Sequence, residues 1–213
     1  MLRGGDAIEI KNIYIPKRYS RPGLNDPLIL NTVYPRQKLF VDDPLVTNSC
    51  RKAERWTEKD IIYAVGVSKG KQLTHLCMVY GIDYCASAKH YKNILLEMRS
   101  KLKDIPNIRF GDEREPGRVN AIDPTGATRL DLRNMWHIEN PWSFFRYVYR
   151  PNPNARFNFM CIIRNEKLSR FRNGDNLFAW REICPSLIIE QVRIKDPDAS
   201  GQLNDALLIR YEI

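Results

Sequence analysis

From Ala7 to Ile15 the chain alternates apolar and polar side chains, Ala-Ile-Glu-Ile-Lys-Asn-Ile-Tyr-Ile, and is rich in β-branched residues. A period of two with that composition predicts a strand over 7–15. Residues two apart share a face, so Glu9 and Lys11 project together, and Ile8 and Ile10 are expected to turn toward the core. Gly4-Gly5 reads as the tight turn of a hairpin whose first strand lies upstream. Residues 16–23 form a basic loop punctuated by Pro and Gly, and residues 28–40 read as extended. A short helix is expected over 48–56, N-capped by Asn48 or Ser49. Two strands, 60–67 and 73–80, suit a hairpin through the Ser68-Lys69-Gly70-Lys71-Gln72 turn.

Beyond Ser87 the period changes. Tyr91, Ile94, Leu95, Met98 and Leu102 make one helical stripe, with Lys89, Lys92, Lys101 and Lys103 off it on a solvated face. A loop rich in Pro, Gly and charge runs over 111–126, and a short strand follows over 128–133. The aromatic-dense segment 136–149 reads as core, with Pro141 in the first turn of a helix capped by Asn140. A strand at 156–164, a polar helical stretch, and strands at 187–195 and 206–213 complete the chain. Strands and helices mix without regular alternation. The expected class is α/β or α+β: a single domain spanning 1–213, with a central mixed sheet flanked by helices.

Composition narrows the function classes. At 213 residues the chain can bury a sizeable core. No apolar run approaches the roughly 20 residues that span a bilayer, and the opening Gly-Gly-Asp does not read as a signal peptide. The five cysteines include no C-x-x-C pair, so neither a zinc site nor a disulfide framework is signalled, and reduced cytoplasmic thiols are expected. The histidines at 75, 90 and 137 lack ligand spacing and read as structural. There is no G-x-S-x-G, P-loop or G-x-G-x-x-G. The net charge of +9 points instead to a polyanionic partner. The excess is uneven: seven Lys/Arg against three Asp/Glu over 1–41, and nine against three over 126–172.

The first basic stretch surrounds Glu9 and Lys11. A carboxylate and an ammonium side by side on an apolar strand suit a metal-dependent phosphodiester site. The carboxylate would hold a hard divalent cation, and the lysine would orient or help deprotonate the attacking water. A surface ion pair on an edge strand is the competing reading. Nearby, Asn31, Thr32, Tyr34, Arg36 and Lys38 offer donors to base edges and phosphates within eight residues.

Several blocks then carry a resemblance. MLRGGDAIEIK, WTEKDIIYAVGV from Trp56, MVYGIDYCAS from Met78, GRVNAIDP from Gly117, MWHIENPW from Met135 and FNFM from Phe157 resemble, in order, stretches of the NgoPII family of type II restriction endonucleases. That family is part of the PD-(D/E)XK nuclease superfamily. The resemblance covers nearly the whole chain. It implies a restriction-endonuclease-like core and Mg²⁺-dependent cleavage of double-stranded DNA at GGCC by a homodimer, with a cognate DNA methyltransferase as a genetic partner. Carried over, Glu9 is the metal-binding carboxylate, Lys11 the catalytic lysine and the Ile10 carbonyl a further metal ligand. Arg36, Lys38, Arg129 and Arg133 become the candidates for guanine O6 and N7. The chain departs from the pattern at the superfamily's first acidic residue, the Asp of the Pro-Asp pair, which belongs on a strand before the Gly-Gly turn. The expectation is therefore a chain lacking the N-terminal helix and first core strand. Asp6 is the one acidic residue near enough to act as second metal ligand, and a regular strand puts it on the face opposite Glu9, so only a bulge would bring it in. A catalytically incomplete DNA-binding remnant is the alternative to an active nuclease.

Overall fold

The alternation at the start of the chain does form a strand, β1 (Ala7–Ile15). In a computed structural model, residues 5–16, 24–30, 34–44, 46–110, 117–132, 135–174 and 176–213 are described. Further strands are β2 (Leu28–Ile29), β3 (Lys38–Phe40), β4 (Glu58–Lys69), β5 (Gln72–Tyr80), β6 (Ile108–Arg109), β7 (Gly117–Val119) and β8 (Leu130–Leu132). They continue with β9 (His137–Ile138), β10 (Asn158–Arg164), β11 (Leu187–Lys195) and β12 (Leu203–Glu212). The helices are α1 (Asn48–Ala53), α2 (Gly81–Tyr84), α3 (Ala88–Leu102), α4 (Pro141–Phe144), α5 (Asn165–Leu168) and α6 (Asn176–Ile183). Among the described residues no helix is long and apolar enough to cross a membrane.

The chain groups into two compact units, one drawn from 1–26, 36–85 and 139–213, the other from 27–35 and 86–138. The sequence offers no convincing boundary because the second unit is an insertion that leaves and re-enters the first.

The first unit is built on a seven-stranded mixed sheet, ordered β1-β4-β5-β10-β12-β11, with β3 paired to the start of β4. The β1–β4 and β5–β10 pairings are parallel and the others antiparallel. Gly70, at φ +62°, closes the β4–β5 turn in the left-handed region that glycine enters without steric cost. On one face Tyr63, Val65, Val67, Cys77, Val79, Met160, Ile162 and Leu208 are buried. Trp142 and Phe145 cover that face through His75, Tyr84 and Tyr63, at ring separations of 5.3–6.1 Å. On the other face Tyr80, Ile163, Ile189, Leu207 and Ile209 form a core closed by Leu168 and Leu177. Each such side chain contributes about 1.5–3 kcal/mol by burial. As expected, the aromatic segment supplies core residues, Trp142, Phe145 and Tyr149, although Tyr147 is 44% exposed; Asn140 caps α4 by accepting a hydrogen bond from the Trp142 amide.

Three sequence expectations are corrected. Ile8 and Ile10 do not enter the core; they are 59% and 75% exposed. Parallel pairing sets Glu9 beside Tyr63 and Lys11 beside Val65. The charged pair therefore lies on the aromatic-covered face and the isoleucines on the other. The N-cap of α1 is Thr47, whose side chain accepts from the Cys50 amide, so Asn48 and Ser49 lie inside the first turn. On α3 only Leu95 of the apolar stripe is fully buried, while Ile94 and Met98 remain about 40% exposed.

The second unit holds α3, the β2–β9 pair and the three-stranded β6-β7-β8 sheet. Tyr34 stacks on Tyr91 at 5.3 Å, and Trp136 packs edge-on against both.

Candidate active site

The side chains of β1 divide around the sheet. On the aromatic-covered face the Lys11 ammonium lies 3.0 Å from the Glu9 carboxylate, with the glutamate 47% and the lysine 27% exposed. A pair so open to water contributes little to stability, so the fold does not require it. Tyr63, directly across from Glu9, is buried, and burial first and the Glu9 charge last among the causes push its phenol far above the ordinary tyrosine range. The protonated hydroxyl accepts from the Arg36 amide at 2.8 Å and donates to the Arg36 carbonyl at 3.1 Å. The main chain at Arg36 is thus fixed onto the tyrosine that borders Glu9. Its guanidinium pairs with Asp43, with both side chains largely buried. The close approach of this segment depends on Gly81. A Cβ there would sit 2.5 Å from the Arg36 carbonyl oxygen and 2.8 Å from the Gln37 Cα.

The donor set suits a hard cation. A carboxylate and the Ile10 main-chain carbonyl are oxygen ligands of the kind that Mg²⁺ takes while keeping several waters. Among the described residues no three His, Cys, Asp or Glu side chains converge on one point. Protein ligation there would rest on few donors.

Asp6 lies on the opposite face. Its carboxylate accepts from the Tyr80 hydroxyl at 2.7 Å and pairs with the Lys167 ammonium at 3.1 Å. Lys167 also pairs with Asp60, at 2.6 Å, and its ammonium lies 4.8 Å from the centre of the Tyr80 ring. Burial works against that charge, but the hydrogen bonds to Asp60 and Asp6 prevail and hold the lysine above its ordinary value. Burial and the bond to Asp6 likewise raise the Tyr80 phenol. One residue earlier, the Gly5 carbonyl accepts from the Lys59 ammonium at 2.8 Å, and Lys59 pairs with Glu54. A pocket of about 200 Å³ beside this cluster is lined by Gly5, Asp6, Lys38, Lys59, Asp60 and Arg170 among others.

The other sequence candidates are dispersed. Lys38 stands across from Asp60 on β3 and pairs with Glu58. Arg129, in the second unit, is 55% exposed and 3.0 Å from Asp131. Asn31 and Arg133, like Gly4, Thr32 and the basic loop at 17–23, fall outside the described residues. Part of the second basic stretch is internal: Arg164 binds the fully buried Asp83 at 2.7 Å. Lys167, Asp60, Tyr80 and Tyr63 escaped the sequence reading, since nothing in their spacing links residues up to 161 positions apart.

No solved structure matches the chain. The type II restriction enzyme NgoPII of Neisseria gonorrhoeae is 45% identical over 214 aligned residues, an alignment that spans all of this chain and 73% of that enzyme. The profile of the NgoPII restriction endonuclease family matches residues 1–195. With a strand carrying Glu9 and Lys11 at the edge of a mixed sheet, and a sequence match over almost its full length, the chain belongs to the NgoPII family of type II restriction endonucleases.

Proposed function

We propose that this chain hydrolyses phosphodiester bonds of double-stranded DNA at GGCC, with Mg²⁺ held by Glu9 and the Ile10 carbonyl and with Lys11 acting on the attacking water. The observation that carries the reading is the Glu9–Lys11 pair, 3.0 Å apart and open to solvent on the edge strand. Bound there, Mg²⁺ would polarise the phosphodiester and acidify water. The chain's own residues do the rest. Glu9 places negative charge on the cation side, and the Lys11 ammonium lies within reach of a phosphate oxygen or a water beside the carboxylate. The buried Tyr63–Arg36 contact fixes the wall next to them. The GGCC site and the homodimer follow from the family resemblance, a palindrome being read by two copies related by a twofold axis. Arg36, Lys38, Arg129, Arg133 and Asn31 are the proposed DNA contacts; Asp6, the sequence candidate for a second carboxylate, is bound to Tyr80 and Lys167 away from Glu9, which argues against that role.

One observation favours the second reading, a DNA-binding chain with an incomplete metal site. Asp6 is bound to Lys167 and Tyr80 on the face away from Glu9. Digestion of a GGCC-containing plasmid in Mg²⁺, alongside gel-shift binding in Ca²⁺, separates the two. Site-specific cutting supports the nuclease. Specific binding without cutting supports the incomplete site, and neither result with folded protein removes both.

A further inference from the structure

Among the described residues β1 is held to the sheet on one side, by parallel pairing to β4. Side chains alternate along it, so a slip of one residue would carry Glu9 and Lys11 to the opposite face. The register therefore needs a fixed point, and the residues that precede the strand supply one. Gly5 is gripped through its carbonyl by Lys59 at 2.8 Å. Asp6 is gripped through its carboxylate by Lys167 at 3.1 Å and the Tyr80 hydroxyl at 2.7 Å. Lys167 is bound in turn by Asp60 at 2.6 Å, the residue just before Ile61, which pairs with Ala7. One ammonium thus ties the residue before the first β1 pair to the residue before its partner. It reaches both from α5, which follows β10 two strands further into the sheet.

We infer that Lys167 is a positioning residue that locks the register of the strand carrying Glu9 and Lys11, and that Asp6 serves as its anchor on that strand rather than as a metal ligand. The inference deepens the proposed function and rests on its assignment of Glu9. The lock requires a cation shared by two carboxylates. An arginine can span them, whereas a methionine of similar length cannot.

The test uses the full chain and the variants Lys167→Met, Lys167→Arg, Asp6→Asn and Glu9→Gln. Hydrogen exchange by mass spectrometry reads the peptide covering 7–15 against those covering β11 and β12. Mn²⁺ binding, followed by its electron paramagnetic resonance signal with a GGCC duplex present, reads the metal site. Lys167→Met should speed exchange in 7–15 about tenfold or more while β11 and β12 keep their protection, and Lys167→Arg should restore most of it. Asp6→Asn should speed exchange as Lys167→Met does, and the double variant should add little to either. Mn²⁺ affinity should change less than threefold in Asp6→Asn. Where cleavage is measurable, Lys167→Met should lower kcat at unchanged KM for DNA. Unchanged exchange in 7–15 on Lys167→Met would overturn the lock, and a tenfold or greater loss of Mn²⁺ affinity in Asp6→Asn would overturn the anchor role. Glu9→Gln reports on the metal assignment separately, because exchange in 7–15 decides the lock whether or not Glu9 binds the ion.

Discussion

The two faces of β1 carry similar chemistry in opposite states. On one, Glu9 and Lys11 face each other across 3.0 Å with the carboxylate half exposed. On the other, Asp6 and Lys167 meet at 3.1 Å, but each is engaged a second time, by the Tyr80 hydroxyl and by Asp60, and all three ionic side chains are less than a quarter exposed. The first pair keeps lone pairs and N–H donors open to water, which is what a group meant to meet a cation or a phosphate needs. The second has used its hydrogen-bonding capacity within the protein, as a structural tie does. Charge type alone does not separate a reactive pair from a structural one. The number of internal partners does.

Substitutions that break this contrast should differ most in cleavage. Glu9→Gln and Lys11→Ala, in a form of the enzyme that cuts DNA, are each expected to slow hydrolysis by about 10²–10³-fold or more. Gel shifts in Ca²⁺ should show specific binding retained, since in the proposed mechanism both residues act on the scissile phosphate. Substantial residual cutting by either variant would move the chemistry away from this face.

Gly81→Ala should act through folding. The added Cβ meets backbone at 2.5 Å, which cannot rotate aside, and overpacking of this kind costs about 1–3 kcal/mol. A thermal midpoint lowered by several degrees is expected. No change would mean that the segment at Arg36–Gln37 shifts freely away from Tyr63.

A smaller effect separates the two pairs by stability alone. Lys167→Met leaves two carboxylates short of a partner and should cost about 1–3 kcal/mol. Lys11→Met, at the exposed pair, should stay within about 1 kcal/mol of the parent. Urea denaturation of the two variants side by side is the measurement, and equal losses would erase the distinction.

The smallest effect is a pH dependence. The Lys167 value in the folded protein is raised above the unfolded value near 10.5. Its stabilising contribution is therefore fully present below that unfolded value and is lost as pH rises through the higher folded one. The stability gap between the parent and Lys167→Met should be flat across neutral pH and should narrow only in strongly alkaline solution. A gap that closed between pH 6 and 9 would show that another group carries it.

Much of this was legible in the residues because the signals were local. Alternation located β1, β4 and β5, Pro141 and Asn140 announced α4, and the shared face of Glu9 and Lys11, 3.0 Å apart, followed from the strand period. What misled was a choice between two faces that the sequence leaves nearly balanced. Ile8, Ile10 and Tyr14 make one apolar row and Ala7, Ile13 and Ile15 another, and only the pairing with β4 decides between them. The α1 cap moved by one residue because Thr47, Asn48 and Ser49 all have capping side chains. The Lys167 tie was beyond reach, as its members come from the residue before β1 and from β4, β5 and α5, and meet only once the sheet is assembled. The packing of Tyr34 and the ion pair of Arg36 were equally out of reach, because an extended basic segment gives no hint of burial. In the fold Tyr34 is packed within the second unit and Arg36 is paired with Asp43.

The parallel pairing of β1 to β4 also sets an order of assembly. β4 and β5 are joined by a two-residue turn and can zip up locally, whereas Ala7 must find Ile61 across more than fifty intervening residues. Closing so long a loop costs more entropy than closing the local turn, and a strand that pairs on one side among the described residues opens readily. The strand with the proposed catalytic pair is therefore expected to dock after the β4–β5 hairpin has formed, as is β10, whose parallel pairing to β5 closes a still longer stretch of chain. Under mild denaturant or limited proteolysis, the capacity to cut should disappear while most of the strand order survives.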